Sequence, residues 1–81
     1  MSKPLHVLVS SVSETLFDAE AQSVTIPTGA GVITVLAHHE PIITTIKKGD
    51  IVIHSSGSEV KTIAVESGVL EVSNSRATLL L

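Results

Sequence analysis

Cysteine, tryptophan and tyrosine are absent from this 81-residue sequence, and Phe17 is its one aromatic residue. The lack of cysteine excludes disulfides and thiolate zinc centres and leaves the redox compartment undetermined. The lack of rings removes the stacking platforms on which single-stranded nucleic acids and sugars are bound. Five Lys and Arg stand against eight Asp and Glu, giving a formal charge of −3. Lys47-Lys48 is the only basic cluster, so nucleic-acid binding, which rests on neutralising phosphates, has no electrostatic support. No apolar run reaches the roughly 18 residues of a membrane span, and the opening MSKPLHVLVSS is too polar and short-cored to read as a secretory signal.

What remains is aliphatic. Hydrophobic residues make up 43% of the chain and charged residues 16%, with a mean hydropathy of +0.48. This length allows a single domain, residues 1–81, and a composition this apolar implies that part of its surface faces another protein. The dominant periodicity is two, punctuated by Gly, Pro, Ser and Asn, which predicts an all-β chain of about eight to ten short strands packed as a sandwich. Leu5, Val7 and Val9 share one face, as do Val24 and Ile26 before Pro27, which is expected to end its ladder. The segment from Gly49 to Val65 reads as a hairpin turning at Ser55-Ser56-Gly57-Ser58, and Ser73-Asn74-Ser75 reads as a second turn. One segment, SETLFDAEAQ from Ser13 to Gln22, is ambiguous: good helix formers follow a serine able to cap them, so residue propensity leaves helix and strand both open.

Chemistry-bearing residues gather at GVITVLAHHEP, Gly31 to Pro41. His38, His39 and Glu40, with His6 and His54 from other strands, contain the donor types of a zinc or iron site. A site on a sheet needs ligands at i and i+2, however, because neighbours on an extended chain point to opposite faces. The adjacent histidines are better explained as one facing out and one packing or hydrogen-bonding at a turn. A metal-binding module of cupin type and a free-standing interaction domain are the alternative readings. The serines form no Gly-x-Ser-x-Gly elbow and sit where turns are expected. Gly29-Ala30-Gly31 precedes β-branched residues instead of a helix and so suits a tight connection better than a phosphate loop. Glu71, between Leu70 and Val72, points away from both and suggests no acid–base pair.

Read together, the segments HVLVSSVSETLF, VTIP, GVITVLAHHEPIITTIKKG and ESGVLEVSNS resemble the N-terminal β-sandwich domain of the epsilon subunit of F-type ATP synthases, called delta in mitochondria. His6, Ser11 and Phe17 match its first strand, Gly31, Leu36, His39, Pro41 and Gly49 its corner, and Gly68, Leu70, Glu71, Val72 and Asn74 its late strand. Thr34 and Ala37 replace the usual corner glycine and proline, Val32 replaces a frequent acidic residue, and Ser67 replaces the first of two glycines. The family's C-terminal helical hairpin, with its ATP binding in some members, has no counterpart in the sequence.

The resemblance implies a flattened sandwich of two roughly five-stranded sheets, with SETLFDAEAQ as strand and turn. It also implies a non-catalytic rotor subunit of the central stalk that couples proton-driven rotation to ATP synthesis elsewhere in the complex, without metal or cofactor. Its expected partners are the gamma subunit, met by Ser11, and the c-ring, met by Val32, Ile33, His38, His39 and Glu40, with Gly31 and Pro41 shaping the loop. The expected location is peripheral, at the cytoplasmic face of the bacterial inner membrane, or the matrix or stromal side for a processed organellar chain.

Overall fold

The computed structural model describes residues 4–38, 40–55, 57 and 59–81. Every helix or strand element among them is a strand: β1 (Leu5–Ser10), β2 (Thr15–Ala21), β3 (Ser23–Thr28), β4 (Gly31–Leu36), β5 (Ile42–Ile46), β6 (Gly49–His54), β7 (Val60–Val65), β8 (Gly68–Ser73) and β9 (Arg76–Leu80). β1 and β9 pair in parallel, and the other pairings are antiparallel.

Two layers result. One has the order β2-β1-β9-β8-β5 and the other β4-β3-β6-β7, and a lone residue pair, Thr28 with Ile46, joins them into a continuous hydrogen-bonded surface. The strand split is therefore five and four instead of five and five, with one sheet folded over on itself. The cause lies at Pro27. β3 pairs with β6 through Ser23–Thr25, then with β5 at Thr28. Only Lys47 and Lys48 separate β5 from β6, and this segment carries the chain over the rim from one layer to the other, the usual way a strand changes sheets. The Lys47 N–H donates to the Pro27 carbonyl at 2.9 Å. Pro27 thus does not end its strand: its missing N–H falls at the irregular change of partner, where a ladder bond is not required.

Between the layers lies an aliphatic core. The alternation on β1 buries Leu5, Val7 and Val9, and the same period buries Val24 and Ile26, Ile51 and Ile53, Leu70 and Val72, and Ala77 and Leu79. Leu16, Phe17, Ile33 and Ile63 pack at its margins. SETLFDAEAQ contains a strand, because the register from Leu5 opposite Ala21 to Ser10 opposite Thr15 supplies backbone partners and buries Ala21. That tertiary gain outweighs a helix preference of tenths of a kcal/mol per residue, on the order of the propensity scale. Ser13 accordingly lies in the bend between β1 and β2 instead of capping a helix, and the Ser11 N–H closes that connection by donating to the Glu14 carbonyl at 2.8 Å.

Leu70 is fully buried on β8. Leu70→Ala is expected to cost about 2–5 kcal/mol in urea unfolding, whereas Ile43→Ala, on the exposed side of β5, should cost well under about 1 kcal/mol.

Candidate interaction surfaces

The residues around the corner are positioned by β4, an edge strand. At its start the Thr28 hydroxyl donates to the Gly31 carbonyl at 2.6 Å and accepts from the Ala30 N–H at 3.2 Å, closing a tight β3–β4 connection. Gly31 sits at φ 115°, the left-handed region that favours glycine, whereas Gly29 has ordinary φ and is limited instead by Thr45 Oγ1, 3.1 Å from where a Cβ would lie. Beyond β4 the chain turns sharply at His38, which adopts φ 65°. Its N–H donates to Ser75 Oγ at 3.1 Å, and its Nδ1 lies 3.4 Å from the same hydroxyl.

Ser75 is thereby a junction. It is buried, it sits with Asn74 at positive φ in the β8–β9 turn, and its carbonyl accepts the His6 N–H at 2.9 Å. The corner is tied to the β1 and β9 strands through this one residue. The sequence signal was present, since Asn-Ser is turn chemistry, but the long-range hydroxyl contact to His38 has no local signature.

The expected contact residues fall in two groups. At about 3.3 Å per residue, β4 places Gly31 and Val32 roughly 20 Å from His38, Glu40 and Pro41. They line one long flank of the sandwich instead of a compact patch. Val32 is 71% exposed, whereas Ile33 turns inward against the core. Leu36, 57% exposed, and Thr34 fill the flank between the groups. Alternation with the buried Val35 places both on the outer side, a position that the family motif does not single out. His39 lies outside the described residues. Ser11 lies beside Leu80, since Ser10 pairs with Leu80 and accepts the Leu81 N–H. It shares a rim with Gly31 but belongs to the other layer.

The edges differ chemically. β2 carries Asp18, Glu20 and a register shift opposite Val9–Ser10, and β7 carries Lys61. β4, GVITVL, has no charge, no proline and no bulge, although unpaired strand edges are normally protected by such features. An edge left this bare fits one that a partner covers.

The remaining histidines lie apart. His6 Nε2 pairs with Asp18 Oδ1 at 2.5 Å on the outside of the five-stranded layer, a solvent-screened contact. His54 lies on the outside of the four-stranded layer, by the alternation of β6. Among the described residues no group of three or more His, Asp or Glu is placed to hold a metal ion. An open depression of about 680 Å³ near His6 is lined by Pro4, Glu20, Asn74 and Arg76.

Residues 4–81 match the family model described as ATP synthase, Delta/Epsilon chain, beta-sandwich domain, and the chain belongs to that family. It is similar to the ATP synthase epsilon chain of Delftia acidovorans, 34% identical over 76 residues, covering 94% of this chain and 55% of the relative. It is also similar to that of Bartonella quintana, 37% identical over 78 residues, covering 94% and 56%. The chain thus spans about half the length of these curated relatives. Its fold is shared by a chain of the Euglena gracilis mitochondrial ATP synthase, seen with OSCP, F1 and c-ring, at a TM-score of 0.88, 18% identity and coverage of 95% and 49%. A chain of the Tetrahymena thermophila mitochondrial ATP synthase central stalk and c-ring gives 0.82, 12%, and 98% and 63%.

Ser75→Ala removes the acceptor of the His38 N–H and is expected to lower unfolding free energy by about 1 kcal/mol. Ser75→Gly loses the same bond but relieves a positive φ worth about 1 kcal/mol, so urea titrations should find it nearer to neutral.

Proposed function

We propose that this chain is a non-catalytic rotor subunit of the central stalk of an F-type ATP synthase, held between a gamma-type shaft subunit and the c-ring. The observation that carries this reading is the family match across residues 4–81, joined to a bare β4 flank that suits a permanent neighbour. The relatives are epsilon chains of bacterial synthases, which supports a peripheral site at the cytoplasmic face of the inner membrane.

The work assigned to the chain is mechanical. A folded-over sheet with a continuous hydrogen-bond ladder and a close-packed interior resists shear, and interiors of this density transmit displacement with little compression. In this reading the c-ring meets the β4 flank, with Val32 and Leu36 giving apolar contact and His38, Glu40 and Pro41 forming its far end; His39, outside the described residues, is a further proposed contact. The gamma-type subunit meets the Ser11 side. Burial of the exposed aliphatics contributes about 25 cal/mol per Å² before association costs.

The test is assembly into a synthase depleted of its own epsilon subunit. The chain should co-purify with gamma and the c-ring, and Val32→Cys and Leu36→Cys should form cross-links to the c-ring that Thr62→Cys does not. Recovery of neither partner would overturn the assignment, whereas cross-links to gamma from the β4 flank would exchange the two surfaces.

A further inference from the structure

The strands bordering the two layers are β2 and β5 on one and β4 and β7 on the other. β2 carries Asp18 and Glu20, and β7 carries Lys61. β5 follows Pro41 and ends on the pair between Ile46 and Thr28. Charge, proline and covering are the usual devices that stop one sheet edge from pairing with another. β4 has none of them along its six residues, most of which are β-branched.

The sequence of β4 is also complementary to itself. β4 is bonded to β3 along one side, so the N–H and C=O groups of alternate residues point to the free side. Two copies related by a two-fold axis pair antiparallel, and residues that face each other must both belong to the outward-pointing set or both to the other. That condition puts the axis through a residue and never between two. With the axis at Thr34, Val32 faces Leu36 of the second copy, Ile33 faces Val35, and Thr34 faces Thr34. With the axis at Ile33 or at Val35, Thr34 falls opposite Val32 or Leu36 instead. Only the first register matches aliphatic with aliphatic and hydroxyl with hydroxyl, the cross-strand pairs that stabilise a sheet. Thr34 Oγ1 already lies 3.2 Å from Thr25 Oγ1 on β3, so this register continues a row of threonines from one copy into the other.

We infer that the free chain associates with a second copy of itself by pairing β4 with β4 about a two-fold axis at Thr34, which joins two four-stranded layers into one continuous sheet. Charge agrees with this occupant. The C-terminal end of β4 leads to the exposed Glu40, and its N-terminal end lies by Gly29, where Lys47 Cε comes within 3.9 Å of the Cβ position. The two-fold brings the carboxylate-bearing end of each copy to the lysine-bearing end of the other, and no charge stands within the paired strands themselves. Size sets the strength. An edge of six residues is about 20 Å long and, with layers about 10 Å apart, on the order of 200 Å² in plan, against roughly 800 Å² per partner in a stable interface. The dimer is therefore weak and transient, with its register set by backbone bonds. It occupies the same flank as the c-ring contact proposed above, so it is a form of the unassembled chain that keeps a bare edge paired until assembly replaces the second copy. That consequence rests on the stalk assignment; the dimer itself does not.

The experiment is sedimentation equilibrium of the full chain alone, over a concentration series, for wild type, Thr34→Lys, Thr34→Glu, an equimolar mixture of those two, and Thr62→Lys. Wild type should be monomeric at about 2 µM and mostly dimeric at about 500 µM, as for a dissociation constant on the order of 100 µM. Thr34→Lys and Thr34→Glu, each of which sets like charges opposite each other on the axis, should weaken association at least about tenfold. Their mixture sets opposite charges there and should return to within about threefold of wild type. Thr62→Lys, on β7 and away from the pairing edge, should stay within about twofold. Unchanged urea midpoints at low concentration confirm that these exposed substitutions leave the fold intact. Wild type that stays monomeric at about 500 µM overturns the inference and leaves the stalk assignment untouched, since no synthase subunit takes part. Association that Thr34→Lys does not weaken, or that the mixture does not restore, overturns the pairing at Thr34.

Discussion

Neither layer of this protein can bury its own apolar side, and the aliphatic seam between them is the constraint on which the rest depends. Its members are Val, Ile, Leu and Ala, without a ring among the fully buried side chains of the described residues. Branched side chains of similar size held at the pleat spacing interlock between two sheets and stiffen the chain locally, because their χ1 freedom is already small. The cost is a thin core. Each buried methyl contributes measurably to a domain of this size, and stability is spread over many pairs instead of a few large anchors.

The same seam fixes the geometry of the surfaces. Folding one hydrogen-bonded sheet over at Pro27, Lys47 and Lys48 leaves β4 as a bare edge on one flank and leaves the outside of β5, β8 and β9 as a separate face. Gly49 permits this turn, since a Cβ there would come within 3.0 Å of the Pro27 ring. Ser75 then holds the corner after β4 against the β8–β9 turn. Two surfaces with different chemistry are thereby held at a fixed relation to each other through one core.

Much of this architecture was legible in period-two patterning. The buried sets on β1, β3, β6 and β8 are those that alternation assigns, and the turn at Ser73-Asn74-Ser75 follows from its residues. Three features were not legible. The strand character of Thr15–Ala21 depends on a ladder with β1, which propensity does not contain. The continuation of β3 through Pro27 depends on where its second neighbour changes. The spread of the candidate contacts along a flank depends on β4 running its full length between Gly31 and His38, so residues that are close in sequence lie at opposite rims. Alternation with Leu70 and Val72 points Glu71 outward, as the structure shows. That it stands among Ile43, Val69 and Leu80 emerges only from register, because those residues come from three strands.

The central claim is that this rigid body transmits rotation and performs no bond chemistry. The most direct measurement is ATP-driven proton pumping by a membrane-reconstituted F-type synthase depleted of its own epsilon subunit, with and without this chain. The account predicts that the chain restores pumping for a given rate of ATP hydrolysis. Hydrolysis that stays uncoupled from pumping when the chain is bound would contradict it.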